Sequence, residues 1–165
     1  MTTTKPTTVY LALGSNLGDR ARTLARAIDL LGPGGVTILA RSAIYETDPV
    51  TSDPQPLYLN AVVRGETALP PQALLALCLD VEQALGRRRP PGRAPAPREI
   101  DVDLLLYGDA IIGAPPALLI PHPRLLDRPF VRIPLRDVAV PGLRHPVTGD
   151  LLDRAGPDPG VRAIE

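Results

Sequence analysis

Leu74, Cys78, Val81 and Leu85 recur at i, i+4, i+7 and i+11, which places four apolar side chains on one side of an α-helix. Pro70-Pro71 opens the segment, where the missing proline N–H would have found no helical acceptor in any case. Gly86 closes it, a residue free to take the left-handed conformation that ends helices. A helix with one apolar stripe owes most of its stability to packing, so this segment needs a partner layer. Val9 to Leu13, Val36 to Tyr45, Leu59 to Glu66 and Ile100 to Tyr107 supply it as four predicted strands. The first strand stops at Gly14-Ser15-Asn16-Leu17-Gly18-Asp19, after which Leu24, Ile28 and Leu31 recur at helical spacing up to Gly32-Pro33-Gly34-Gly35. The resulting order β-α-β-β-α-β is that of a ferredoxin-like α+β core, a mainly antiparallel sheet with helices packed on it. Beyond Gly108, short helical turns are expected near Pro123 to Asp127 and Pro129 to Val138, with a weak hairpin around Leu143 to Leu152.

The length, 165 residues, suits one domain with a core over about 8–140, and no break in composition demands a second. The segment 148–165 is rich in Asp, Pro and Gly and suggests no function. Formal net charge is zero, so no global field favours nucleic acid or a membrane surface. No apolar run approaches the ~18 residues of a membrane span, and residues 1–8 lack a signal peptide's apolar centre. The single cysteine, Cys78, excludes an internal disulfide framework and reads as core. A cytoplasmic protein is expected.

Asp101 and Asp103 are the first candidates for chemistry. In a strand they share one face while Ile100, Val102 and Leu104 share the other. Paired carboxylates suit a hard cation such as Mg²⁺, which completes its shell with water and substrate phosphates; two solvated acids on a half-exposed strand are the alternative. From Arg87 to Arg98 there are five arginines and no acid, a place for an anion in a loop that its prolines keep irregular. The Gly14 to Asp19 turn offers backbone N–H groups but lacks the spacing of a phosphate loop. Thr47-Asp48-Pro49-Val50 and Tyr58-Leu59-Asn60 bracket a proline-bearing loop, where Tyr58 is either a stacking surface for a flat heterocycle or core. His122 lies between Pro121 and Pro123 with Arg124, Arg128 and Phe130 close behind, as a phosphate contact or a satisfied surface histidine. Glu82 is a nucleotide contact, a partner for Arg87 or an exposed helix acid. His145 has no charged company in sequence and reads as structural.

Taken together, Leu11-Ala-Leu-Gly-Ser-Asn-Leu-Gly-Asp19, Tyr45-Glu-Thr-Asp-Pro49, Tyr58-Leu-Asn-Ala61, Glu82 to Arg87, Ala96-Pro-Arg-Glu-Ile-Asp-Val-Asp-Leu104 and Pro121-His-Pro-Arg124 with Arg128 and Phe130 closely resemble the 6-hydroxymethyl-7,8-dihydropterin pyrophosphokinase family of folate biosynthesis. The resemblance runs in family order over about residues 8–140. It implies transfer of the β,γ-diphosphate of ATP to the pterin hydroxymethyl group, leaving AMP, by a monomer acting on small molecules. It further implies two Mg²⁺ ions on Asp101 and Asp103. Arg87, Arg98 and His122 would serve the catalytic step. Thr47, Val50, Tyr58, Asn60 and Phe130 would hold the pterin, and Glu82, Arg89, Arg98, His122 and Arg128 the ATP. Departures from the family pattern fall at Pro95, where an aromatic residue is common, at Asp48, at Ala117 and Leu119, and in the length of the arginine loop. A ligand-binding relic of the same fold and a metal-dependent phosphohydrolase are the rival readings; the intact set Arg98, Asp101, Asp103 and His122 counts against the first, and the scarcity of histidine against the second.

Overall fold

The computed structural model describes residues 5–48, 57–86, 100–114 and 118–164. In chain order the elements are β1 (Thr7–Ser15), α1 (Arg20–Gly34), β2 (Val36–Arg41), β3 (Ile44–Thr47), β4 (Tyr58–Thr67), α2 (Pro71–Ala84), β5 (Asp101–Tyr107), β6 (Ile112–Ala114), β7 (Leu118–Ile120), a 3₁₀ turn (Leu125–Asp127), α3 (Pro129–Val138) and β8 (Val161–Ile164). The main sheet runs β5-β1-β4-β3-β8, with β2 also paired to β4, and every pairing is antiparallel. This is the expected ferredoxin-like order with the second strand broken in two.

The break has a local cause. Ser42 Oγ accepts the Val62 N–H at 2.9 Å and Ala43 N donates to Asp137 Oδ2 at 3.2 Å, so side chains take over where a ladder would continue. The first helix also differs from expectation, because it runs through Gly32 and Pro33 to Gly34. Pro33 forfeits one hydrogen bond in the last turn, and the chain stops only at Gly35, whose φ of 119° is left-handed and whose N–H bonds the Gly32 and Leu31 carbonyls. Asp19 caps the other end by accepting the Arg22 N–H at 3.2 Å.

Strand alternation, with a register shift opposite Tyr10 and Leu11 that lets Leu105 and Leu106 share a face, sorts the core into two layers. Val9, Leu11, Leu13, Leu59, Val63, Val102 and Leu104 face α1 and α2, and the stripe Leu74, Cys78, Val81 and Leu85 packs against them as its spacing predicts. Tyr10, Val62, Leu105 and Leu106 point the other way, against Val131, Leu135 and Val138 of α3. The helical turn expected at 129–138 is there within those bounds, as a ten-residue helix that covers the sheet's second face. It is held at its end by Arg64 Nε on the Val138 carbonyl at 2.9 Å, a cation at the negative pole of the helix. The weak hairpin expected at 143–152 is present as the antiparallel bridge Arg144 to Leu151, flanked by Leu152 N on the Leu143 carbonyl and His145 N on the Asp150 carbonyl, each at 2.8 Å. The segment 148–164, expected to suggest no function, adds a sixth strand to the main sheet through β8.

Candidate active site

α3 covers only part of the second face. Where it begins, the sheet opens into a cavity of about 270 Å³ floored by Ala12, Gly14, Asn60, Asp101 and Asp103 and walled by Thr47, Tyr58, His122, Arg128 and Phe130. The ladders explain the grouping: Asp101 pairs with Gly14, Gly14 with Asn60, and Asp103 with Ala12, so residues from three strands share one face. Both carboxylates are half-buried, while Val102 and Leu104 between and beyond them are buried in the opposite layer. Gly14 is required by this floor, since a Cβ there would lie 2.8 Å from Asn60 Oδ1. Asn60 in turn donates from Nδ2 to the buried Thr47 hydroxyl, which fixes its amide orientation and leaves Oδ1 toward the cavity floor.

His122 is placed by its backbone, whose N–H bonds the Leu105 carbonyl at 2.9 Å. Its Nδ1 accepts the Arg124 N–H at 3.1 Å, so the proton of the neutral ring sits on Nε2. Burial, and then the charges of Arg128 and Arg124, hold its pKa below the ordinary histidine value. A neutral imidazole with a free Nε2–H is a donor for an anionic oxygen. The Arg128 guanidinium lies 5.5 Å from the centroid of the Phe130 ring, a cation–π contact that orders both side chains.

A second cavity of about 360 Å³ lies on the other side of β5's edge, between α2 and β7. Leu75, Leu79, Leu118 and Leu119 give it an apolar wall, and Asp103 and His122 line it as well as the first cavity. Glu82 also lines it, yet it is no exposed helix acid: it is 3 % exposed, and Oε2 accepts the Val102 N–H at 2.8 Å. Burial, with the charges of Glu82 and Asp103, pushes the Cys78 thiol up to about 12, in keeping with a core cysteine.

Thr47, Tyr58, Asn60, Asp101, Asp103, His122, Arg128 and Phe130 are thus brought to one cavity, and Glu82 to its neighbour. Val50, Arg87, Arg89 and Arg98 lie outside the described residues. His145 does have company: it is buried near Asp150 and Arg132, and its Nδ1 accepts the Val147 and Thr148 N–H groups, a turn-fixing role. Sequence reasoning missed Arg20, which ties Leu57 O at 2.7 Å and Glu46 Oε2 at 3.4 Å and so fixes the strand ends beside Tyr58 and Thr47. It also missed Arg162, paired with Asp48 at 3.1 Å. Neither pairing has a local sequence signal, because the partners are far apart along the chain.

The pair Asp101 and Asp103 offers only hard oxygen donors in a cavity shared with His122 and Arg128, a set that fits Mg²⁺ with water and phosphate completing the shell. Among the described residues no group of three His, Cys, Asp or Glu is placed to hold a metal ion by itself. No described helix is long and apolar enough to cross a membrane.

Comparison with known proteins adds four findings. A family model described as 7,8-dihydro-6-hydroxymethylpterin-pyrophosphokinase (HPPK) matches residues 10–140. The chain is 43 % identical over 134 residues to the 2-amino-4-hydroxy-6-hydroxymethyldihydropteridine pyrophosphokinase of Methylorubrum extorquens, covering 81 % of this chain and 83 % of that protein. It is 42 % identical over 141 residues to the folic acid synthesis protein fol1 of Pneumocystis carinii, covering 86 % of this chain but only 18 % of that longer protein. The fold matches the crystal structure of wild-type Plasmodium falciparum HPPK-DHPS with SDX-DHP at a TM-score of 0.72 and 14 % identity, over 93 % of this chain and 44 % of that one, a likeness of fold alone.

Proposed function

The chain belongs to the 7,8-dihydro-6-hydroxymethylpterin-pyrophosphokinase family, and from that premise we propose that it transfers diphosphate from ATP to the hydroxymethyl group of 6-hydroxymethyl-7,8-dihydropterin. The observation that carries the proposal is that two cavities meet at Asp103 and His122, with Asp101 beside them. The pterin occupies the first cavity, its ring against Tyr58 and Phe130 and its hydrogen-bonding edge on Asn60 and Thr47, with Val50 as a further contact. The nucleotide occupies the second, with the adenine on the leucine wall and the triphosphate reaching toward His122 and Arg128. Glu82 lies on the nucleotide side. Arg87, Arg89 and Arg98 contribute to phosphate binding in this reading.

The pterin hydroxyl oxygen forms a bond to the β-phosphorus, the bond from that phosphorus to the α,β-bridging oxygen breaks, AMP departs and the hydroxyl proton is released. Such transfers are governed by alignment and charge neutralisation more than by covalent chemistry. Two Mg²⁺ ions held by Asp101 and Asp103 would supply charge neutralisation at the phosphates. The residues do the rest: the ladder fixes the carboxylates beneath the reacting groups, and the neutral His122 donates Nε2–H to a phosphate oxygen. Arg128 adds a fork suited to phosphate. The zero net charge is in keeping with small-molecule substrates, and the family resemblance favours a monomer.

Phosphorus NMR of the pterin product tests the reaction type. Two coupled phosphate signals on the pterin, with AMP as co-product, are expected; a single phosphate with ADP would overturn the proposal.

A further inference from the structure

We propose that segment 151–164 is a positioning strap for the first cavity, fixing the strand that carries Thr47 relative to the helix that carries Phe130. The inference rests on the pterin being the occupant of that cavity. On the helix side, Arg132 Nη2 donates to the Leu151 carbonyl at 3.0 Å and Arg136 Nη1 to the Ala155 carbonyl at 3.1 Å, so α3 grips the segment with two guanidinium groups. On the strand side, β8 pairs with β3 from Ile44–Ile164 to Thr47–Val161. The pairing continues one step past β3, where Asp48 N donates to the Gly160 carbonyl at 3.2 Å.

The turn that feeds β8 is built to sit against Asp48. Asp158 accepts the Gly160 N–H on Oδ1 at 2.8 Å and the Val161 N–H on its carbonyl at 3.1 Å. A Cβ at Gly160 would stand 3.2 Å from Asp158 Oδ1 and 3.4 Å from Asp48 Oδ2, so the close approach suits glycine. Arg162 completes the contact with Asp48 at 3.1 Å. An exposed ion pair alone contributes little; the ladder, the turn and the α3 contacts give the strap its stiffness. Without β8, β3 would be a four-residue edge strand, paired only to β4. Thr47 orients Asn60, so freedom in β3 passes directly to the two side chains that read the pterin edge. Preorganised contacts bind more tightly because less ordering remains to be done on binding.

The test compares the full chain with a chain ending at Gly156, with Arg162→Glu, which sets like charges against Asp48, and with the conservative Arg162→Lys. Steady-state kinetics should show the pterin KM rising about tenfold on truncation and about threefold in Arg162→Glu. The ATP KM and kcat should stay near those of the full chain, and Arg162→Lys should be close to native. In the ligand-free protein, amide exchange at residues 44–48 should accelerate in the first two variants. A pterin KM unchanged by truncation and Arg162→Glu, or pterin and ATP KM values rising together, would overturn the strap. If the full chain forms no pterin-dependent AMP, the functional reading fails instead, and unchanged amide protection at 44–48 would still overturn the strap by itself.

Discussion

The backbone N–H of Val102 donates to Glu82 Oε2 at 2.8 Å, so the residue between the two cavity carboxylates is held by a buried acid on the neighbouring helix. Among the described residues β5 ends the main sheet, and its outer N–H groups there need partners other than a strand. Glu82→Ala should destabilise the fold by about 1–3 kcal/mol, the cost of a buried donor left unsatisfied. It should also slow turnover, because Asp101 and Asp103 lose their anchor. Glu82→Gln keeps a carbonyl acceptor and should retain most of both. Urea denaturation alongside steady-state rates separates the effects, and an alanine variant of native stability would remove Glu82 from this role.

Asp101→Asn and Asp103→Asn should each leave the fold intact and cut turnover about a hundredfold or more, as loss of a charged metal ligand removes charge neutralisation from the transition state. Both side chains are half-buried on the cavity face and contribute little to either core layer. Melting curves close to native with a large loss of kcat at saturating Mg²⁺ are the expected pair of results. A double variant that turned over at the native rate would contradict a metal seat at this pair.

Gly14→Ala should act on the pterin and spare the nucleotide. Its Cβ would lie 2.8 Å from Asn60 Oδ1, and moving Asn60 also strains its bond to Thr47. Separate titrations with the pterin and with a non-hydrolysable ATP analogue should show about a tenfold loss for the first, the scale of one misplaced polar contact, and little for the second. Equal losses would place Gly14 in a general folding role.

Stability should fall on mild acidification, before most carboxylates titrate. Burial lowers the pKa of His122, helped by Arg128 and Arg124, and burial also lowers that of His145, with Arg132 acting in the same direction and Asp150 opposing. Unfolded, both rings return to the ordinary value of 6.5. Between that value and the lower folded values the unfolded chain binds more protons, so stability rises with pH there. The contribution of the two neutral rings is complete above about pH 6.5 and is lost as pH falls toward and through the folded values. Unfolding free energies from urea titrations on either side of pH 6.5 should show the decline, with a shallower slope in His145→Asn. A flat profile across that interval would contradict the burial argument.

Much of the fold was legible because the sequence repeats its signals. The α2 stripe and the alternation at Ile100 to Leu104 each carry a period that only one element satisfies. Periodicity failed where a single contact decides. Ser42 breaks a strand by bonding Val62, and Gly35, several residues into a run of helix breakers, sets where α1 stops. The α3 helix was legible in place and bounds, as a helical turn at Pro129 to Val138, and only its role in covering the sheet was not, since Pro129 and Pro134 read as limits on its length although the first sits harmlessly at the helix start. The cavity residues were legible as chemistry, and Asp101 and Asp103 share a face for the reason their spacing gives. Glu82 was picked out as a candidate contact, but its burial was not legible, because an acid on a helix looks solvated until the outer edge of β5 is found beside it. The meeting of Asp48 and Arg162 was not legible either, since they lie 114 positions apart along the chain.

The most direct test is AMP release from ATP by the native chain, measured with and without 6-hydroxymethyl-7,8-dihydropterin and with and without Mg²⁺. AMP that appears only when both are present, in step with pterin consumed, is the predicted result. AMP or ADP released at the same rate without the pterin, or pterin-dependent turnover that persists in excess chelator, would contradict an active site built on Asp101, Asp103 and the two cavities that meet beside them.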